Sequence, residues 1–229
     1  MATPRVGALG VGIAKGDLYV VDEDLDLERV PVGTDDQVLV ADSTTFLGVA
    51  WKDPGFLNNV SFMADATDAV FKKIDLGGGP INNPQAKTVG THSILSFDAG
   101  SVEGIPWQRY LPPGYTAGSS LRVNIYWAAD TAIAGDVIWA AAFERLSNVV
   151  PNNVLVDGFA ALQTAAASTA PGVLGDIQLA QITFTSAQID GLLAGEPLRL
   201  FLQRTGDAVG DTMAGDANLV RVVVEEIQP

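Results

Sequence analysis

The sequence predicts an all-β protein: a small N-terminal β module followed by an antiparallel β-sandwich of jelly-roll-like type. Three observations carry that expectation. The stretch 121–146 holds two runs of alternating apolar residues, Leu121, Val123, Ile125, Trp127 and then Val137, Trp139, Ala141, Phe143, joined by a turn with Gly135-Asp136. Period two over such a length marks half-buried antiparallel strands, read here as a hairpin. Further β-prone runs follow at regular intervals between turn residues, drawn from 24 glycines and 12 prolines, which is the spacing of a sandwich. No internal repeat of fixed period is present.

The elements follow in order along the chain. Residues 1–52 contain short β-prone pieces, Leu18-Tyr19-Val20-Val21, Leu27 to Val32 and Val38-Leu39-Val40, separated by Asp and Gly turns. Each is too short to build a self-sufficient core, so the segment reads as an attachment or trimerisation module that gains stability from a partner or symmetry mate. Residues 53–91 read as a connector that lies along a neighbouring subunit, with a short helix over 64–73 and breakers at Gly77-Gly78-Gly79-Pro80 and Asn82-Asn83-Pro84. Residues 92–229 form the sandwich. Its expected strands are 93–97, 109–111, 121–127, 136–145, 176–184, 198–204 and 219–226, and a helical turn is expected over 186–193, N-capped by Ser186. The alanine- and threonine-rich stretch 160–170 suits either a strand of small side chains or a crossing loop.

Composition excludes several chemistries. With no cysteine, disulfides, thiolate nucleophiles and cysteine-based zinc sites are absent. A formal net charge of −14 opposes attraction to nucleic acid or anionic membrane, which both need a positive face. No apolar run reaches the length of a membrane span, so no membrane insertion is expected. The first residues lack the charged-then-apolar layout of a signal peptide, and secretory export is not expected.

The candidate sites for chemistry are weak. His92, the single histidine, has no nucleophile-elbow motif to serve and reads as a surface or strand-edge residue. The acidic groups Asp22, Glu23, Asp24 and Asp26, and Glu225-Glu226, read as a solvated turn and a solvent-facing strand end rather than a glycosidase pair. Asp207, Asp211 and Asp216 could offer oxygen ligands to calcium, but their spacing matches no EF-hand and Asp side chains bonding to nearby amides explain it as well. No catalytic residue, cofactor or metal ligand is assigned. Most of the four tryptophans read as core; Trp107 and Tyr110 are the candidate ligand or interface contacts.

Several of these segments carry a likeness. Leu111-Pro112, Val123-Asn124-Ile125-Tyr126-Trp127 with Ala128-Ala129-Asp130-Thr131, and Gly135-Asp136-Val137-Ile138-Trp139 are followed by Ile182-Thr183-Phe184, Ala194-Gly195-Glu196-Pro197 and Arg204. Asp211-Thr212-Met213-Ala214-Gly215-Asp216-Ala217 completes the series. In order and content they resemble a domain that recurs in structural proteins of tailed bacteriophages. The opening segment resembles a short module of phage fibre proteins, through Lys15-Gly16-Asp17-Leu18, Arg29 to Asp35 and Gln37 to Ser43, with Asp36 where that module carries glycine. The resemblance implies a non-enzymatic virion structural protein, a capsid decoration, head fibre or short tail fibre. It further implies a homotrimer contacting other virion proteins and exposed on the particle. The alternative is a tail-fibre receptor-binding protein whose sandwich grips a host surface glycan.

Overall fold

The computed structural model describes residues 15, 17–21, 27–35, 37–52, 61–64, 81–131, 133–146 and 156–227. The chain divides into two compact units, Met1–Asn58 and Asn59–Pro229. The acidic turn 22–26 and the glycine run 77–80 lie outside the described residues, as does the expected helix after Ala64.

In the first unit, β1 (Leu18–Val21) pairs antiparallel with β2 (Leu27–Val30), and β3 (Val38–Ala41) with β4 (Val49–Lys52). Polar clasps stiffen these ladders. The Asp17 carboxylate accepts the Arg29 Nε at 2.6 Å and the Val32 amide at 2.8 Å. The Trp51 indole donates to the Pro31 carbonyl at 2.7 Å, and its ring closes over Gly33, where a Cβ would stand 2.8 Å away. Among the unit's described residues Val30 is the buried hydrophobic, whereas Leu18, Val21, Leu27, Val32, Leu39 and Phe46 are exposed. The ladders exist, but they enclose almost no apolar interior.

The second unit is an antiparallel sandwich. Its larger sheet is built from β5 (Ser61–Ala64), β6 (Gln85–Val89), β7 (His92–Phe97), β9 (Ser120–Ala129), β14 (Gln178–Phe184) and β16 (Ala217–Ile227), ordered β14-β9-β16-β7-β6 with β5 also on β16. The second sheet, of order β12-β11-β15-β8, uses β8 (Val102–Tyr110), β11 (Trp139–Arg145), β12 (Gln163–Thr164) and β15 (Pro197–Thr205). Short strands β10 (Asp136–Val137) and β13 (Ser168–Thr169) pair apart from both. Two corrections concern the connector and the helical turn. Segment 53–91 supplies β5 and β6 to the larger sheet, because their backbone groups complete the free edges of β16 and β7. The turn after β14 is a single 3₁₀ turn, Ser186–Gln188, and its N-cap is Thr185, whose amide donates to the Gln188 side chain at 2.8 Å.

Alternation places the core as expected. Leu121, Val123, Ile125 and Trp127 of β9 are fully buried against Trp139, Ala141 and Phe143 of β11 and Leu198, Leu200 and Leu202 of β15. The two tryptophan runs are nevertheless not a hairpin. β9 bonds to β14 and β16, while β11 bonds to β12 and β15. The chain between them arches from one sheet to the other. Trp127 and Trp139 then meet across the interior at 6.4 Å, and Phe97 stands edge-on to Trp139 at 5.1 Å. Two apolar faces bury each other when stacked, which pairing side by side in one sheet does not achieve. Gly135 enables the arch: its φ is +99°, and a Cβ there would lie 2.7 Å from the Met213 backbone.

A bulge corrects the phase of β16. Leu219 opposes Trp127 and Arg221 opposes Tyr126, so Val220 is inserted. Before it Ala217 and Leu219 face inward; after it Val222 and Val224 do. Were Val220 kept in register instead of bulged out, strict alternation would turn Arg221 and Glu225 into the core.

Candidate functional site

The two expected contact residues part company. Trp107 and Tyr110 both lie on β8, three positions apart, and strand alternation sends them to opposite faces. Trp107 is 0% exposed inside the sandwich and offers no surface to a ligand, whereas Tyr110 is 69% exposed beside Pro197. Trp107 is therefore corrected to a core residue. The outer face that Tyr110 borders is largely covered. Phe159 packs on Phe201 at 5.6 Å and carries the Arg199 guanidinium 4.7 Å above its ring. Arg199 also pairs with Glu144 and with Asp157, and the Gly158 amide donates to Glu144 at 2.9 Å. These contacts fold the segment from Val156 back over β11 and β15.

The acidic glycine loop is a structural clasp. Arg204 and Asp211 form an ion pair whose side chains are both 0% exposed. Every guanidinium donor is used: Nε and Nη2 reach the two Asp211 oxygens at 3.0 and 2.7 Å, Nη1 reaches the Phe97 and Gly215 carbonyls, and Nη2 the Met213 carbonyl. Asp211 also accepts the Ile138 amide at 3.0 Å. Buried charge is tolerated only when paired and fully bonded, and this one is. Asp216 is committed elsewhere, to Lys87 and Ser96, and Asp207 is exposed. Among the described residues no group of three or more His, Asp or Glu is placed to hold a metal.

Glu225 and Glu226 are also separated by alternation. Glu225 pairs with Arg122 at 2.9 Å, and the hydrogen bond from that guanidinium holds its carboxyl below the usual carboxylate range. Glu226, expected at the solvent face, is buried and accepts the Thr116 amide at 2.9 Å. The bulge at Val220 is the reason, since it shifts the even-numbered positions inward.

An open groove of about 380 Å³ lies on the outer face of the larger sheet. Its aliphatic walls are Val89, Ile94, Ala128, Val220, Leu174 and Ile177; its polar lining is His92, Asp130 and Asn218. The pleat explains the gathering. Ala128 pairs with Asn218 and Asn218 with Ser96, so one cross-strand row presents small and polar side chains outward. The polar side is tightly organised. Asn218 Nδ2 donates to Asp130 at 3.1 Å, Lys87 Nζ bridges Asp130 at 3.4 Å and Asp216 at 3.3 Å, and the Ser96 hydroxyl donates to Asp216 at 3.1 Å. Desolvation opposes the Lys87 charge, yet the hydrogen bond to Asp216 and the field of Asp130 outweigh it and raise the ammonium pKa. Asn218 is only 5% exposed, and its Oδ1 has no hydrogen-bond partner among the described residues.

His92 opens β7 at this rim, an exposed strand-end histidine. The groove itself was not foreseen. Its lining comes from four strands and the loop holding Leu174 and Ile177, and no local pattern links them.

No protein-family model matches the sequence, and no curated protein matches it. By structure the chain is similar to a CBM35 module from Cellvibrio japonicus Abf62, at 15% identity and a TM-score of 0.38, covering 72% of this chain and 91% of that one. It is also similar to the xylan-binding module CBM15, at 13% identity and a TM-score of 0.41, covering 75% and 99%. A third similarity is to the enzymatically active domain of bacteriophage CBA120 tailspike protein 4, at 10% identity and a TM-score of 0.30, covering 76% of this chain and 20% of that one.

Proposed function

We propose that this chain is a non-enzymatic component of a bacteriophage particle whose sandwich recognises a host surface glycan. The observation that carries the reading is the groove. Its aliphatic walls suit the C–H face of a sugar ring, and His92, Asp130 and Asn218 suit its hydroxyls. About 380 Å³ has room for a saccharide unit. The phage context rests on the residue resemblance over both units. Homotrimerisation is part of the proposal: among the first unit's described residues Val30 is the buried hydrophobic, and ladders with so few buried side chains gain order from partner chains.

The test is binding of the full chain to a bacterial glycan microarray, repeated with His92→Ala and Asp130→Ala. Binding that falls at least tenfold in both variants supports the reading. No binding, or binding indifferent to both changes, overturns it.

A second reading, capsid decoration or head fibre without ligand recognition, is favoured by the same scarcity of buried side chains among the first unit's described residues, which suits an anchoring role. Particles lacking the protein that still adsorb normally to the host would favour this reading.

A further inference from the structure

We propose that the groove selects a neutral sugar bearing an acetamido group and rejects acidic sugars. This rests on the glycan reading above and specifies its ligand. Three properties of the groove point to that group. The first is an acceptor in need of a donor. Asn218 lines the groove and its Oδ1 has no hydrogen-bond partner among the described residues, and a buried acceptor left without a donor is destabilising. An amide N–H supplies that bond. The second is a wall that, among the described residues, is aliphatic: Ile94, Ala128, Val220, Leu174 and Ile177. Such a wall favours a compact methyl group over a stacked ring, and it leaves the acetamido carbonyl to the His92 imidazole at the rim.

The third property is charge. Asp130 and Asp216 carry two carboxylates into this region, and the Lys87 ammonium is already shared between them. One positive charge against two negative leaves the rim net acidic, within a chain of net charge −14. A uronate or sialate carboxylate would enter against that field with no free cation among the groove's polar residues to meet it. A neutral acetamido sugar meets no such repulsion and satisfies the unpaired acceptor.

The experiment is NMR titration of the full chain with the methyl glycosides of N-acetylglucosamine and N-acetylgalactosamine, glucose, galactose and glucuronic acid. The expected result is at least tenfold tighter binding of one acetamido glycoside than of its hydroxyl counterpart, with glucuronide weakest. Leu174→Asp, at an exposed rim position, is expected to lower acetamido binding at least fivefold while leaving the melting temperature unchanged. Asn218→Leu is expected to erase the acetamido preference, and because it also removes a bond to Asp130, its folding is checked by the same spectra. Groove-dependent binding without acetamido preference, or with glucuronide tightest, overturns this inference and leaves the glycan reading intact. Absence of binding by every glycoside, and by the microarray, overturns both.

Discussion

Replacing Asp211 with alanine strips the hydrogen-bonded carboxylate from a guanidinium that has no access to water. Arg204 and Asp211 are both fully buried, and two of the five guanidinium donors end on Asp211. Breaking a buried pair from one side costs about 3–5 kcal/mol, because the surviving charge stays uncompensated. For a unit of this size each kcal/mol moves the melting temperature by about 2–4 °C, so the expected fall is roughly 6–20 °C. Thermal unfolding followed by circular dichroism measures it. Amide exchange gives an independent readout, since Ile138 loses its Asp211 acceptor and should exchange faster. Arg204→Lys should fail as a substitute, because a compact ammonium cannot serve one carboxylate and three carbonyls in the geometry of a planar fork. The double change Arg204→Met with Asp211→Leu should recover part of the loss by removing both charges. Recovery stays partial because the Phe97, Gly215 and Met213 carbonyls lose their donors. A melting temperature within 2 °C or so of the parent for Asp211→Ala would refute the clasp.

Gly104→Ala should cost about 1–3 kcal/mol by overpacking, since its Cβ would stand 2.3 Å from the Phe201 ring, itself buried and packed on Phe159; denaturant titration measures it. Glu196 and Glu225 are held below their usual range, first by hydrogen bonds from Arg145 and Arg122 respectively. Their contribution is therefore full above the unfolded value of 4.5 and lost as pH falls through the lower folded values. Arg122→Gln should accordingly flatten the acid side of the melting-temperature profile. Glu103 has the opposite sign: burial raises its pKa, so its contribution is present below the unfolded value of 4.5 and lost as pH rises. Glu103→Gln keeps the acceptor used by the Asp98 amide at 2.8 Å and should raise stability at neutral pH relative to acid pH. A drop at neutral pH would contradict that sign.

The legible part of this protein was local. Alternation from Leu121 to Trp127 named a strand and its buried face, and all four of those apolar residues are buried as a period of two requires. The strand expected over 198–204 is present, and in the structure its even-numbered residues Leu198, Leu200, Leu202 and Arg204 are buried at one parity. The short pieces of the first 52 residues do form two-stranded ladders, and among their described residues Val30 is the buried hydrophobic. Turn chemistry marked Gly135, though not the crossing it enables.

What alternation cannot specify is the partner of a buried face. The runs through Trp127 and Trp139 are equally consistent with a hairpin or an arch, and only the competing ladders of β14, β16, β12 and β15 decided for the arch. Trp107 is a core residue rather than a contact for the same reason: its exposure depends on the sheet stacked opposite, not on its neighbours Pro106 and Gln108. The groove and the Arg204 clasp lie further still from the linear code. Each gathers residues far apart in the chain, as Lys87 meets Asp130 and Asp216, and their charges are held only because long-range closure brings the counter-charges near. The sequence by itself determined which faces are apolar, because side-chain direction follows from the backbone one residue at a time. The tertiary structure decided what those faces meet and where polar groups converge, because both depend on which distant strands win the pairing.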